Sequence, residues 1–313
     1  MDELKKEYWL PMKDGHEVFV VKWSDETKKP RALIQLSHGM AEHIKRYETF
    51  AQFLVSNGIY LVGNDHRGHG RTGEKSGNSG YFAEDNGFEK VVEDLKEVYD
   101  HVREQYPSIP IFLMGHSMGS FLVRRFLQRF QTDIHGVILS GTGGNSPIAL
   151  SIAKLLAKSQ IKKYGSQAES KLLNRLTTGS YNKRFVNAET EFEWLSRDSQ
   201  QIKNYMDDTY CGKPATTSFY YDLYDGLKRI QEDKEVKKVQ KNIPFYLFSG
   251  DMDPVGNYSK GVSGLIKQMK RHGIVEIDYK IYKDGRHEML NEVNRDEVFK
   301  DLLQWLQKQL NKK

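Results

Sequence analysis

Gly115-His116-Ser117-Met118-Gly119 sets a serine hydroxyl between two glycines, directly after the apolar run Ile111-Phe112-Leu113-Met114 and directly before a helical run over residues 120–130. A strand, a forced turn and a helix follow one another, with the serine at the tip. The chain must reverse within a few residues, and a side chain at either end of the pentapeptide would strike the neighbouring strand or the first helical turn. The helix start behind the serine presents unpaired N–H groups and a positive dipole end to negative charge formed nearby. A serine hydroxyl is a poor nucleophile at neutral pH. It needs a base within hydrogen-bond reach and a group that orients that base.

The elements that must position these groups alternate along the chain. Apolar, β-rich runs at residues 18–21, 32–36, 59–62, 111–114 and 137–139 are separated by helical runs at 47–56, 88–106 and after Ser117. Near-continuous apolar strands between amphipathic helices predict a mostly parallel sheet covered on both faces, with an antiparallel start before the alternation begins. After Gly141-Thr142-Gly143-Gly144-Asn145-Ser146-Pro147 the rhythm breaks, and residues 148–218 hold helical patches and polar loops without a convincing core strand. It resumes with a helix at 219–230, a strand at 244–248, a helix at 260–271, a strand at 275–282 and a terminal helix at 296–310. The expected division is a core over 1–146, an inserted helical cap over 147–218 and the rest of the core over 219–313. An insertion on the side where strands end lies over the crevice that holds the site.

A serine on a strand–turn–helix of such a sheet is the nucleophile elbow of the α/β-hydrolase fold, whose catalytic groups run in the order serine, acid, histidine. Of ten histidines, only His272 and His287 follow the last plausible acid. His272 ends a helical run at Lys270-Arg271-His272-Gly273, where a cationic ring suits the helix C-terminus and the structural role is preferred. His287 stands in the loop after the 275–282 strand and is the expected base. The acid belongs in the turn Gly250-Asp251-Met252-Asp253-Pro254-Val255. Asp253 precedes a proline, which holds it extended, and is preferred over Asp251, whose expected role is to support the turn. Asp284 is close to His287 in sequence, but proximity in a loop does not set geometry, so it ranks below Asp253, and residues 141–147 hold no carboxylate.

Charge formed on the attacked carbonyl oxygen needs two donors. The N–H of Met118, after the nucleophile, is one. The N–H of Met40 is the other, in the loop His38-Gly39-Met40-Ala41-Glu42-His43, where Gly39 lets the backbone approach.

These motifs, with Asp65-His66-Arg67-Gly68-His69-Gly70, resemble the monoacylglycerol lipase and lysophospholipase branch of the α/β-hydrolases, whose bacterial members are often called serine aminopeptidase S33-like. The resemblance covers nearly the whole chain and is weakest in the cap. It implies Ser117, Asp253 and His287 as the triad, Met40 and Met118 as oxyanion donors, and an α/β-hydrolase fold with an inserted cap. His38, His66, His69 and His116 are expected to fix loops beneath the pocket, and Asp65 to hold its glycine-rich turn. Two departures stand out: Thr72 where the family usually has serine, and a single Cys211, in the cap, where mammalian members line their pocket with cysteine.

The expected activity is hydrolysis of carboxylic esters of lipid-like substrates through an acyl-enzyme on Ser117, with no metal or organic cofactor. The same triad also serves short-chain carboxylesterases, thioesterases and aminopeptidases, and the acidic cap residues Glu189, Glu191, Glu193, Asp207 and Asp208 keep the last of these open. A non-catalytic binding protein on this fold would usually lack a triad member. In the cap, residues 146–163 mix Ile148, Ile152, Leu155, Leu156 and Ile161 with Lys154, Lys158, Lys162 and Lys163. That basic amphipathic helix reads first as a cap helix whose apolar face closes the core, and second as a lid touching membrane and admitting acyl chains. Trp194, Leu195, Tyr205 and Met206 are candidate pocket walls.

Composition sets the outer bounds. The net charge of +5 comes from dispersed lysines, in pairs such as Lys5-Lys6 and Lys312-Lys313, without the dense basic stripe of a nucleic-acid binder. No apolar run approaches bilayer length, and the start Met1-Asp2-Glu3-Leu4-Lys5-Lys6 has no apolar h-region, so the cytoplasm is the expected compartment. One cysteine excludes an internal disulfide and is expected to exclude any Cys-based metal cluster.

Overall fold

Strand β1 (Lys5–Pro11) pairs antiparallel with β2 (Glu17–Trp23), and β2 pairs antiparallel with β4 (Ile59–Asn64) in the computed structural model, which describes residues 4–144, 146–185 and 188–312. From β4 onward every neighbour is parallel: β3 (Ala32–Ser37), β5 (Ile111–His116), β6 (Gly136–Ser140), β7 (Phe245–Gly250) and β8 (Ile277–Tyr282). The spatial order is β1-β2-β4-β3-β5-β6-β7-β8, the α/β-hydrolase arrangement with the antiparallel start expected from the alternation. β1 has no counterpart among the predicted runs because Lys5-Lys6-Glu7 dilutes its apolar signal; pairing with β2 supplies what its own pattern lacks. Met1, Asp2 and Glu3 of the N-terminal stretch, Asn145 of the 141–147 loop and Lys313 of the last lysine pair lie outside the described residues.

Successive strand side chains point to opposite faces. Ile111 and Leu113 of β5 enter one core layer, while Phe112 and Met114 enter the other. Helices α1 (Glu48–Ser56) and α11 (Arg295–Leu310) cover the second layer with Phe50, Leu54, Phe299 and Leu302. Helices α3 (Gly87–Gln105), α4 (Met118–Arg129), α8 (Thr217–Ile230) and α10 (Lys260–Arg271) cover the first. Each large side chain removed from water contributes roughly 1.5–3 kcal/mol, which is why the strands read as unbroken apolar runs.

The short helix α2 (Gly70–Ser76) has no predicted counterpart. Its apolar content is too low for a periodic signal, and polar bonds hold it instead. Asp65 accepts the Ile44 and Arg71 amides at 2.9 and 2.8 Å, so it fixes the glycine-rich turn, as expected. Burial pushes its carboxyl up to about 6. Thr72 donates to the Asp65 carbonyl and accepts the Phe19 amide, both at 2.9 Å, so the hydroxyl ties this turn to β2.

Between β6 and α8 lie α5 (Pro147–Tyr164), α6 (Lys171–Thr178) and α7 (Ser199–Asp207); the four-residue α9 (Asp233–Val236) follows α8. Ser146, Ser170, Asp198 and Thr216 cap α5 to α8 in turn by accepting backbone N–H groups. The apolar residues of α5 split into two stripes rather than one core-closing face. Leu150 and Ala157 are buried, whereas Ile148, Ile152 and Leu155 are 74, 63 and 69% exposed. The ion pair of Lys154 with Asp225 on α8 helps fix that rotation. No helix among the described residues is long and apolar enough to cross a membrane.

Candidate active site

Ser117 leaves β5 with φ 50° and ψ −122°, a conformation that costs any residue with a Cβ, and α4 starts at the next residue. Its N–H donates to the Ser140 carbonyl at 2.9 Å. Both motif glycines are required by contact. A Cβ on Gly119 would lie 2.0 Å from the Ser37 carbonyl oxygen of β3, and one on Gly115 would lie 2.4 Å from the Gly119 carbonyl. Strand and helix therefore approach closely enough to force the turn.

His287 lies in the loop after β8 and Asp253 in the loop after β7, 34 positions apart and joined by a hydrogen bond. The His287 Nδ1–H donates to Asp253 Oδ1 at 2.9 Å, and both side chains are buried. That bond directs Nε2 away from the acid. Asp253 also accepts the Val255 amide at 2.8 Å and the Ser249 hydroxyl at 2.9 Å. Burial alone would raise its pKa, but the facing imidazole and these donors bring it below the ordinary carboxylate value. Burial would likewise lower His287, and the Asp253 carboxylate outweighs it, so the imidazole is more basic than usual.

The rival residues sit elsewhere. Asp251 uses its backbone N–H on the Tyr282 carbonyl at 3.0 Å, and Asp284 occupies a left-handed turn position at φ 57°. His272 caps α10, with Nε2 2.9 Å from Asp233.

Met118 is the first residue of α4, so its N–H belongs to the turn that lacks intrahelical acceptors. Met40 lies in the loop after β3, and Met40, Met118, Ser117 and His287 line one cavity of about 830 Å³. The Met40 loop is held by Glu42, inside its motif, and by Arg46 and Glu288, outside any motif. Glu42 accepts the Gly39 amide at 2.5 Å and the Tyr47 hydroxyl at 2.8 Å. Arg46 donates to Glu42 at 2.7 Å and, through both terminal nitrogens, to Glu288 at 2.7 Å each. The guanidinium brings Glu288 down to about 2 against the effect of burial. In sequence, the four-residue spacing of Glu42 and Arg46 and the adjacency of Glu288 to His287 were the available signals; their meeting was not.

His38, His66, His69 and His116 are engaged in contacts within and between the loops. His38 Nδ1 contacts the Gly39 carbonyl at 2.8 Å and its Nε2 accepts the His66 amide at 3.0 Å. His66 Nε2 is 3.0 Å from the Ser37 hydroxyl, and His69 Nδ1 is 2.9 Å from the Arg67 carbonyl. Burial holds His66 down near 3. His116 bonds Ser140 Oγ at 3.2 Å and packs on the His287 ring, and burial keeps it near 4.

The segment between α6 and α7 closes the other side. The Trp194 ring lies 5.0 Å from that of His287, and the backbone carbonyls of Trp194 and Leu195 accept the His287 and Glu288 amides at 3.2 and 2.7 Å. Trp194, Leu195 and Tyr205 line the cavity; Met206 does not, and is 51% exposed.

A family profile described as serine aminopeptidase S33 matches residues 28–294. Monoacylglycerol lipase of Mycolicibacterium smegmatis is 26% identical over 292 residues, covering 91% of this chain and 90% of that protein. Monoglyceride lipase of Homo sapiens is 26% identical over 297 residues, covering 94% and 88%. Among solved structures, a highly thermostable carboxyl esterase from Bacillus coagulans in complex with glycerol superposes with a TM-score of 0.90 at 28% identity, over 98% of this chain and 99% of that one.

Proposed function

We propose, from the premise that the chain belongs to the serine aminopeptidase S33 family of α/β-hydrolases, that Ser117, Asp253 and His287 form its catalytic triad and that its substrates are lipid-like esters. The coarser activity, ester hydrolysis, follows from the family and from the match to lipases over most of both chains. The observation carrying the triad is the buried 2.9 Å bond between His287 Nδ1 and Asp253, with His287 lining the same cavity as the strained Ser117.

In this reading His287 Nε2 takes the Ser117 proton as Oγ attacks the ester carbonyl carbon. The Met40 and Met118 N–H groups hold the resulting oxyanion; losing one such donor typically costs about 2.7–4 kcal/mol in the barrier. Collapse expels the alcohol, which receives the proton from His287, and leaves the acyl group on Ser117. Water, deprotonated by the same imidazole, then releases the acid. Asp253 holds the tautomer and stabilises the imidazolium.

Residues 147–218 act in this reading as the cap. Phe121, Leu150, Leu223 and Leu227 supply apolar walls suited to an acyl chain. The outward stripe Ile148, Ile152 and Leu155, set beside Lys158 and Lys162, suits an anionic lipid surface. An aminopeptidase would need a free carboxylate to hold the substrate amine. Glu193, Asp207 and Asp208 are instead matched to Arg286, Lys203 and His43, while Glu191 lines the cavity.

A fluorophosphonate probe is expected to label Ser117 and to leave Ser117→Ala unlabelled. Labelling retained in that variant removes Ser117 as nucleophile. A panel of p-nitrophenyl esters of rising chain length, beside monoacylglycerol, lysophospholipid and aminoacyl anilides, tests the substrate; preference for acetyl or butyryl esters alone sinks the lipid reading.

A further inference from the structure

His43, three residues beyond Met40, meets a turn of the cap rather than the triad. Its Nε2 lies 2.9 Å from Asp208 Oδ2, at the end of α7. Asp208 is oriented for this contact, because its Oδ1 accepts the Tyr210 amide at 2.8 Å and its carbonyl accepts the Cys211 amide at 3.1 Å. The tight turn thus brings the Cys211 thiol back toward the same point. One ligand atom each from His43, Asp208 and Cys211 lies within 4.8 Å of the others. His43 and Cys211 are each 7% exposed, and no hydrogen bond engages the thiol among the described residues. Asp208 is half-buried and leaves a way in.

We propose that His43, Asp208 and Cys211 form a three-ligand site for Zn²⁺ that ties the turn after α7 to the loop carrying Met40. The donor set is one imidazole, one carboxylate and one thiolate, which suits Zn²⁺ and not the oxygen-seeking Mg²⁺ or Ca²⁺. Zinc–nitrogen and zinc–oxygen bonds of about 2.0–2.2 Å and a zinc–sulfur bond of about 2.3 Å put tetrahedral ligand atoms roughly 3.3–3.7 Å apart. The His43–Asp208 pair has to open slightly and Cys211 to close in, and water takes the fourth position. On binding, the S–H bond of Cys211 breaks, the Zn–S bond forms and the proton leaves to solvent, while His43 ligates through Nε2 with its proton on Nδ1. The nearby cation, Arg46, is matched by Glu42 and Glu288. In this mixed set one thiolate joins an imidazole and a carboxylate, so the site departs from the expectation, drawn from a single cysteine, of no Cys-based metal cluster. The turn is already docked on the loop: the Gly212 N–H and the Tyr205 hydroxyl donate to the Ala41 carbonyl at 3.0 and 2.9 Å. An ion here fastens the cap to the loop from which Met40 projects.

The site is independent of the ester reading and is tested without turnover. Full-length protein, stripped with a chelator, is titrated with Zn²⁺ against a chromophoric competitor and with Cd²⁺ while sulfur-to-metal absorption is followed in the ultraviolet. One ion per chain, the absorption band and a rise in Tm with Zn²⁺ are expected. Cys211→Ser should lose the band, and both it and Asp208→Asn should bind Zn²⁺ about tenfold or more weakly. Metal-free unfolding of each variant checks its fold; if Cys211→Ser does not fold, Asp208→Asn, at the surface end of the site, carries the comparison. Absence of a stoichiometric ion in the wild type, or equal affinity in wild type and folded variants, overturns the site.

Discussion

Arg46 grips Glu288, the residue after His287, through two hydrogen bonds of 2.7 Å, and the same guanidinium holds Glu42 at 2.7 Å beneath the Met40 loop. The loop carrying Met40 and the loop carrying His287 are therefore held by one buried cation. Arg286, on the other side of His287, binds the Glu193 carboxylate at 2.9 Å and the Ser196 carbonyl at 2.8 Å. The histidine is flanked by one anchor to Arg46 and one to the segment between α6 and α7.

Replacing Arg46 by Met leaves two buried carboxylates without a countercharge. Removing one partner of a buried charged pair costs about 3–5 kcal/mol. The variant is expected to show a lower denaturation midpoint and a reduced kcat, with KM little changed, because the loops lose registry while the cavity walls remain. Wild-type values for both midpoint and kcat would rule out this positioning role.

Asp253→Asn is expected to cut turnover by about 10⁴, the usual cost of the wrong imidazole tautomer. Asp251→Asn should stay near wild type. The pH profile supplies a second readout. The base works unprotonated, and its pKa is raised by Asp253, so the acid limb of kcat/KM lies above the ordinary imidazole value of about 6.5. Without the carboxylate, burial is opposed only by the weaker pull of Glu288 and Glu42, so the limb in Asp253→Asn moves to lower pH. Collapse in Asp251→Asn with full activity in Asp253→Asn would transfer the acid role to Asp251.

Ser117 sits at φ 50° and ψ −122°, a geometry that glycine adopts freely. Strain of this kind costs about 1–3 kcal/mol, part of which glycine gives back through its extra freedom in the unfolded chain. Ser117→Gly, although inactive, should be about 1 kcal/mol more stable than Ser117→Ala, in which the Cβ persists. Chemical denaturation of the two variants settles it; a less stable glycine variant means the turn is not strained.

The outward stripe of α5 should act at a lipid surface. Ile152→Glu, with its side chain 63% exposed, is expected to keep the folding midpoint and turnover of a soluble short ester while weakening sedimentation with anionic vesicles about tenfold. Unchanged vesicle binding would leave that stripe without a membrane role.

The strand–helix alternation and the elbow were legible because each rests on local or periodic signals. Apolar runs such as 111–114 mark strands buried on both faces, and Gly115 and Gly119 mark a turn that no Cβ fits. Order along the chain reduced ten histidines to His272 and His287, and the helix C-terminus at Lys270-Arg271-His272-Gly273 separated those two. β1 and α2 escaped notice because pairing with β2 and polar bonds from Asp65 sustain them, rather than their own periodicity.

By itself, the sequence determined the fold class and the candidates Ser117, Asp253 and His287, since spacing and the order of elements are properties of the chain. Tertiary structure alone decided which of them meet and what holds them. His287 and Asp253 touch across 34 positions, Arg46 and Glu288 across 242, and Ile148, Ile152 and Leu155 face outward only because Leu150 and Ala157 find the core. Such contacts depend on where separate elements come to lie in space, and no local pattern of residue types encodes that placement.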